Sequence, residues 1–310
     1  ASPDLQKAQQ LVLDKDYEGA RALVEPLAEQ GSPGAEHLLA YLDQYGLGGK
    51  KDLKTAIDLY YKAAVAGNAD SQFALGELAF LGEGVDQNVA RAIDWYRLAA
   101  ANGHAGAETR LGEVYAEGKG VGKDLNEAAA WFRKAAVQND PTAEYYLGNS
   151  YSAGEGVAQS YEEAANWYER AAAGGSAEAA YNLALIYQGG VLGEEDPAKA
   201  LLLFKQAAAG GVAEAMVAIG LMAHDGRADP DDKAADWFEQ AAEAGDPAGE
   251  FLYAVALFEG DNRPKDPGKA LFWVGRALSA KEGLSDEMRA NAEALRARIS
   301  GKAAPVNNAP

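Results

Sequence analysis

Large, small and polar residues recur along this chain with a period of 36. The tryptophans mark the period. Trp95, Trp131 and Trp167 stand 36 residues apart, and so do Trp237 and Trp273. The next step after Trp167 falls on Leu203, and the interval from there to Trp237 is two residues short. Counting back from Trp95 reaches Leu59 and then Leu23. A residue this scarce does not fall into register by chance, so the chain reads as a repeat array. Three residues before the marker stand Ala20, Ala56, Ala92, Ala128, Ala164, Ala200, Ala234 and Ala270. Four residues after it stand Ala63, Ala99, Ala135, Ala171, Ala207, Ala241 and Ala277, with Leu27 as the exception. These offsets lie on one face of an α-helix. The small–large–small order predicts stacked helical hairpins with the indole rings wedged between them, which makes Trp131 a core position.

Helix ends repeat as well. Seven residues before the marker come Asp16, Asp52, Asn88, Asp124, Ser160, Asp196 and Asp266, all N-cap types. Eight residues after it come Gly31, Gly67, Gly103, Asn139, Gly175, Gly211 and Gly245. Glycine and asparagine tolerate the left-handed conformation that ends helices. An earlier helix in each unit carries Leu39, Leu75, Leu111, Leu147, Leu183 and Ile219 in one column, each followed by glycine or alanine. It stops at Gly46, Gly82, Gly118, Gly154, Gly190, Gly226 and Gly260. The pattern predicts a short opening hairpin over 4–31, seven helix–loop–helix units over 32–282, and one amphipathic helix within 283–300. Leu284, Met288, Leu295 and Ile299 are placed to seal the last open core face, as terminal repeats require. Residues 301–310 have no periodicity and read as a disordered tail.

The 36-residue unit, the Leu-Gly step, the Gly-x-Gly-Val loop at Gly82, Gly118 and Gly154, and the run Asp124 to Ala136 resemble Sel1-like repeats, relatives of tetratricopeptide repeats. The opening hairpin reads equally well as a tetratricopeptide-like unit. The resemblance implies an all-α, right-handed solenoid of antiparallel helix pairs used as a protein-binding scaffold. Bacterial members are often exported and resemble adaptors in envelope or signalling processes. Some secreted members are cysteine-rich, with weak penicillin-binding activity reported for that branch; this chain has no cysteine.

In an array, core columns repeat and binding columns vary. The first helices carry one variable stripe, and such helices line the concave surface in repeats of this kind. Its candidate contacts are Tyr41, Phe73, Glu77, Phe80, Glu113, Tyr145, Asn149, Tyr181, Leu185, Gln188, His224, Phe251 and Phe258. Aromatics at the ends with polar residues between them suit a peptide or partner helix held by apolar anchors.

Composition narrows the rest. The chain has 310 residues, 48% of them hydrophobic, and no apolar run near the ~20 residues that span a bilayer. Its net charge of −19 opposes nucleic-acid or anionic-membrane binding and suits a basic partner. The start at Ala1, without methionine, together with the family habit, points to a periplasmic or secreted protein, with the cytoplasm as the alternative; a monomer is expected. His37, His104 and His224 fall in different units, and His104 in a turn reads as solvated. The clusters Glu194–Asp196 and Asp229–Asp232 lack the spaced ligands of a calcium loop and read as helix caps. No cofactor, metal or catalytic residue is expected. The sequence reading is a non-catalytic scaffold. An exported cell-wall-acting enzyme and a structural subunit of an envelope complex stand as alternatives.

Overall fold

A computed structural model describes residues 2–301; the tail expected at 301–310 lies outside them but for Gly301. The described residues form 17 α-helices and no strand. They fall into two compact units that meet in sequence between Ser160 and Tyr161. The first unit holds α1 (Pro3–Leu13), α2 (Tyr17–Glu29), α3 (Pro33–Tyr45), α4 (Leu53–Val65), α5 (Ala69–Leu81), α6 (Val89–Ala101), α7 (Ala105–Glu117), α8 (Leu125–Ala136) and α9 (Pro141–Ala153). The second holds α10 (Tyr161–Ala173), α11 (Ala177–Gln188), α12 (Pro197–Ala209), α13 (Ala213–His224), α14 (Ala234–Glu243), α15 (Pro247–Glu259), α16 (Pro267–Ser279) and α17 (Asp286–Ile299). Within each unit every helix packs on its chain neighbours, the arrangement of an α-solenoid.

Local chemistry sets the helix boundaries. Asp16, Asp52, Asn88, Asp124, Asp196 and Asp266 each accept a first-turn amide through the side chain. The first helices of the hairpins stop on residues such as Gly82 and Gly118, whose φ of 75° and 73° few other residues adopt. The unit that is two residues short departs from the pattern. Asp232 there does not cap α14; it accepts from Trp237 Nε1 and pairs with Lys205 Nζ at 2.7 Å.

The core corrects one expectation. Both alanine columns are buried, but the tryptophans between them are only half-buried. The next residue in each unit fills the interior: Tyr60, Tyr96, Phe132, Tyr168, Phe204 and Phe238. Helical geometry explains this. Alanines at −3 and +4 from tryptophan define a face whose i+4 member is the residue after it, so tryptophan sits on the flank. Trp131 leans on the core that contains Ala100 and Leu111, and Lys134 Nζ lies 3.7 Å over its ring. Its Nε1 is buried without a hydrogen-bond partner.

The inner rings also explain the small residue in the first helices. A Cβ on Gly76 would lie 2.5 Å from Tyr96 Cε1, and one on Gly112 or Gly220 would sit closer still to Phe132 or Phe238. The ring therefore rests on bare backbone. At the far end, α17 closes the last core with Ala292 and Leu295, while Leu284, Met288 and Ile299 pack at its margin.

His104 is also placed differently from expectation. It caps α7, with Nδ1 accepting from the Ala107 amide at 3.1 Å. Its ring stacks on Phe73 at 4.5 Å, and Nε2 lies 3.5 Å from Asp70 Oδ1. An accepting Nδ1 must be unprotonated. Burial holds its pKa below the ordinary value, against the pull of Asp70. His37 is lowered too, again chiefly by burial.

Two kinds of outcome follow, the first from packing. Phe132→Ala should cost about 3–5 kcal/mol of unfolding free energy in urea melts, and Trp131→Ala clearly less. Gly112→Ala should still destabilise, because overpacking costs about 1–3 kcal/mol while helix propensity returns at most about 1. The second outcome concerns pH. The depressed histidines favour the folded state above their ordinary pKa of about 6.5, and that share is lost as pH falls through their lower native values. Thermal unfolding of His104→Asn, which keeps a capping side chain, should show a smaller loss on acidification than the parent.

Candidate partner-binding surface

The variable stripe divides into columns with different jobs. Its first column is a joint between successive hairpins. His37 Nδ1 meets Ser71 Oγ at 3.0 Å, Phe73 stacks on His104, and Thr109 Oγ1 donates to Asp140 Oδ1 at 3.2 Å. Tyr181 sits 5.8 Å from the Phe204 ring. Phe251 is a correction: it is 7% exposed and lies in the terminal core with Val274 and Leu295. The cap helix already occupies the space a partner would need. Phe73 and Tyr145 are half-buried, and the Tyr145 ring lies 5.5 Å from Tyr146.

In the first unit the middle column is bound into a network. Glu77 accepts from Tyr96 Oη at 2.6 Å and from Arg110 Nε and Nη2 at 3.0 and 2.8 Å. The same guanidinium donates to Glu113 Oε2 at 2.9 Å. Burial opposes the Arg110 charge, but the two carboxylates outweigh it and hold its pKa above the ordinary value. Burial, then Glu113, push the Tyr146 hydroxyl up to about 12. Phe80 lies under Lys119 Nζ at 4.3 Å, and Asn149 is half-buried. Tyr41 pairs with the exposed Tyr45 at 4.9 Å, leaving an aromatic edge there.

The second unit differs. Its middle column is apolar and open, with Leu185 and Leu221 41% and 44% exposed. They line a groove of about 540 Å³ with Tyr181, Gln188 and Val217. Three carboxylates border it: Glu214, Asp225 and Asp246, against one cation, Arg227. Arg227 Nη2 donates to Asp225 Oδ2 at 2.9 Å, so that pair is internally balanced. Burial raises the Asp246 pKa, and Glu214 adds repulsion. The same two carboxylates raise Tyr181, after burial. His224 is exposed at the end of α13 but does not line the groove, and Phe258 is half-buried under Arg298 at 5.0 Å. Sequence reasoning missed Glu214 and Asp246. Glu214 lies in the first turn of α13 and Asp246 caps α15, positions where acids read as ordinary helix-start residues.

The acidic clusters have local partners. Asp196 caps α12, and Asp229 with Asp232 holds Lys205. Among the described residues no group of three or more histidine or acidic side chains could hold a metal ion, and no helix is long and apolar enough to cross a membrane.

No curated protein matches the chain. Among solved structures it is similar to a Sel1 repeat protein from Oxalobacter formigenes: 32% identity over 77% of this chain and 99% of that one, TM-score 0.70. It is also similar to a protective antigen of uropathogenic Escherichia coli strains: 24% identity over 96% of this chain and 71% of that one, TM-score 0.65. The second likeness shows the fold alone. Seven consecutive segments match the Sel1 repeat: 33–68, 69–104, 105–140, 141–176, 177–212, 213–246 and 247–281. The chain belongs to the Sel1 repeat family.

Proposed function

We propose that the protein is a binding scaffold, and that the groove of the second unit holds a polypeptide by one large apolar side chain next to a lysine or arginine. One observation carries this reading: Leu185 and Leu221 stay open to solvent inside a groove whose border has a surplus of carboxylates. Exposed leucines cost free energy in isolation and gain it when a partner covers them. Glu214 and Asp246 give such a partner its orientation and speed its arrival, because complementary charge acts on encounter and register more than on raw affinity. The net charge of −19 extends the same preference to long range. An apolar anchor with a basic neighbour is also what a groove of this size and lining accommodates.

The test uses the full chain against a displayed random-peptide library. Enriched peptides should pair a large apolar residue with a lysine or arginine. Leu185→Asn with Leu221→Asn should remove their binding while changing stability by no more than about 1 kcal/mol, as exposed positions allow. Glu214→Gln should weaken binding and flatten its salt dependence. Enrichment of acidic or charge-free peptides, or binding that survives the double substitution, would refute the assignment.

Acidity supplies a further check. Asp246 has a raised pKa, so it loses its charge sooner on acidification than an ordinary aspartate. Affinity for a basic peptide should therefore begin to fall above the usual carboxylate range, measured by calorimetry in a pH series. Glu214→Gln relieves the repulsion and should move that fall to lower pH.

A further inference from the structure

The flanking tryptophan column is interrupted at two places. Trp131 packs against a core that includes Ala100 of the preceding hairpin and Leu111 of its own. Two full repeats carry leucine instead, at Leu59 and Leu203. A pocket opens at each, and corresponding repeat positions line both. In the first unit they include Ala28, Leu39, Asp43, Leu59 and Lys62. In the second they are Ala172, Leu183, Tyr187, Leu203 and Gln206. The two differ in chemistry. The first is crossed by the Arg21–Asp43 ion pair at 2.6 Å and bordered by Lys50 and Lys51. The second, about 360 Å³, keeps an apolar floor. Leu183 is buried at its base, and Leu202 beside Leu203 is 69% exposed.

We propose that the slot at Leu203 receives an aromatic side chain, tryptophan above all, from a partner polypeptide. The repeat itself names the occupant, since at Trp131 the matching volume holds an indole with a lysine ammonium over its face. A cation is at hand in the slot too: Lys199 Nζ stands 5.0 Å over the Tyr187 ring at its wall. Glu169 also lines it and offers an acceptor for an indole N–H, as Asp232 does for Trp237 at 3.0 Å. That acceptor favours tryptophan over phenylalanine. The site is independent of the groove. Leu183 and Tyr187 project from a different side of α11 than Tyr181, Leu185 and Gln188.

The experiment titrates N-acetyl-tryptophanamide into the isotope-labelled full chain and follows amide shifts, with N-acetyl-alaninamide as the control. Saturable shifts should centre on Leu183, Tyr187, Leu203 and Gln206 with the indole probe only. Leu203→Trp fills the slot from within, so it should raise the melting temperature and weaken the probe by roughly tenfold or more. Leu203→Phe should do the same in part, which keeps the test valid if the larger ring folds poorly. Leu59→Trp and Leu185→Asn should leave the shifts unchanged. Shifts absent from the slot, shifts that persist in folded Leu203→Trp, or a lower melting temperature in both slot variants would overturn the proposal. Loss of the shifts with Leu185→Asn would place the probe in the groove and overturn it equally.

Discussion

In most repeats an aromatic ring from the second helix rests on the first helix before it where that helix has glycine or alanine, and the rest of the architecture follows from that contact. Phe132 lies where any Cβ on Gly112 would intrude, and Tyr96 and Phe238 repeat the contact on Gly76 and Gly220. The ring brings helices close only where the facing side chain is missing or minimal. The two columns are therefore constrained together, although they stand about twenty residues apart in sequence. Alanines on either side of the ring, Ala128 and Ala135 around Phe132 for example, extend the close approach along the helix. Interiors packed to this density tolerate little change of volume. Residues outside these columns are free to vary, which is what a family of binding surfaces needs.

Much of this was legible from the chain because it is local. Caps such as Asp52 and stops such as Gly82 depend on a few neighbouring residues, and periodicity multiplies the signal. The choice between Trp131 and Phe132 as the inner ring was not legible from scarcity. It turns on a single 100° step around the helix, and counting the face by i, i+4 and i+7 would have found it. The double nature of the stripe was harder. Phe73 is closed off by His104 and His37 by Ser71, partners more than thirty residues away. A buried polar column escaped notice for the same reason. Gln72 and Glu108 are buried, and each accepts from a side chain thirty residues on, Asn102 and Gln138.

The two units use one frame for different surface chemistry. In the first, Arg110 joins Glu77 and Glu113, so the charges that face outward already have partners. Partly exposed ion pairs add little stability, typically ~0–1 kcal/mol, so the network acts mainly by fixing side chains in place. Covering it with an apolar partner would strip water from three charges at once. In the second, leucines take the corresponding positions, and the bordering carboxylates are not matched by equal positive charge. Covering that surface removes apolar area from water and leaves two acids able to attract a cation. By this balance of desolvation against burial, covering the groove of the second unit costs less than covering the charged network of the first.

The same balance explains why leucine is tolerated where other repeats have tryptophan. The inner ring column is valine at Val24, keeps tyrosine or phenylalanine from Tyr60 to Phe238, and is valine again at Val274. There Phe251 supplies the missing ring from the first helix, and α17 fills what remains with Ala292 and Leu295. The flanking column is under weaker constraint, because Trp131 and its equivalents are half-exposed and losing one exposes shallow surface instead of opening a sealed cavity. Leu203 is thus a position where the array carries leucine in place of the tryptophan of other repeats without losing the fold.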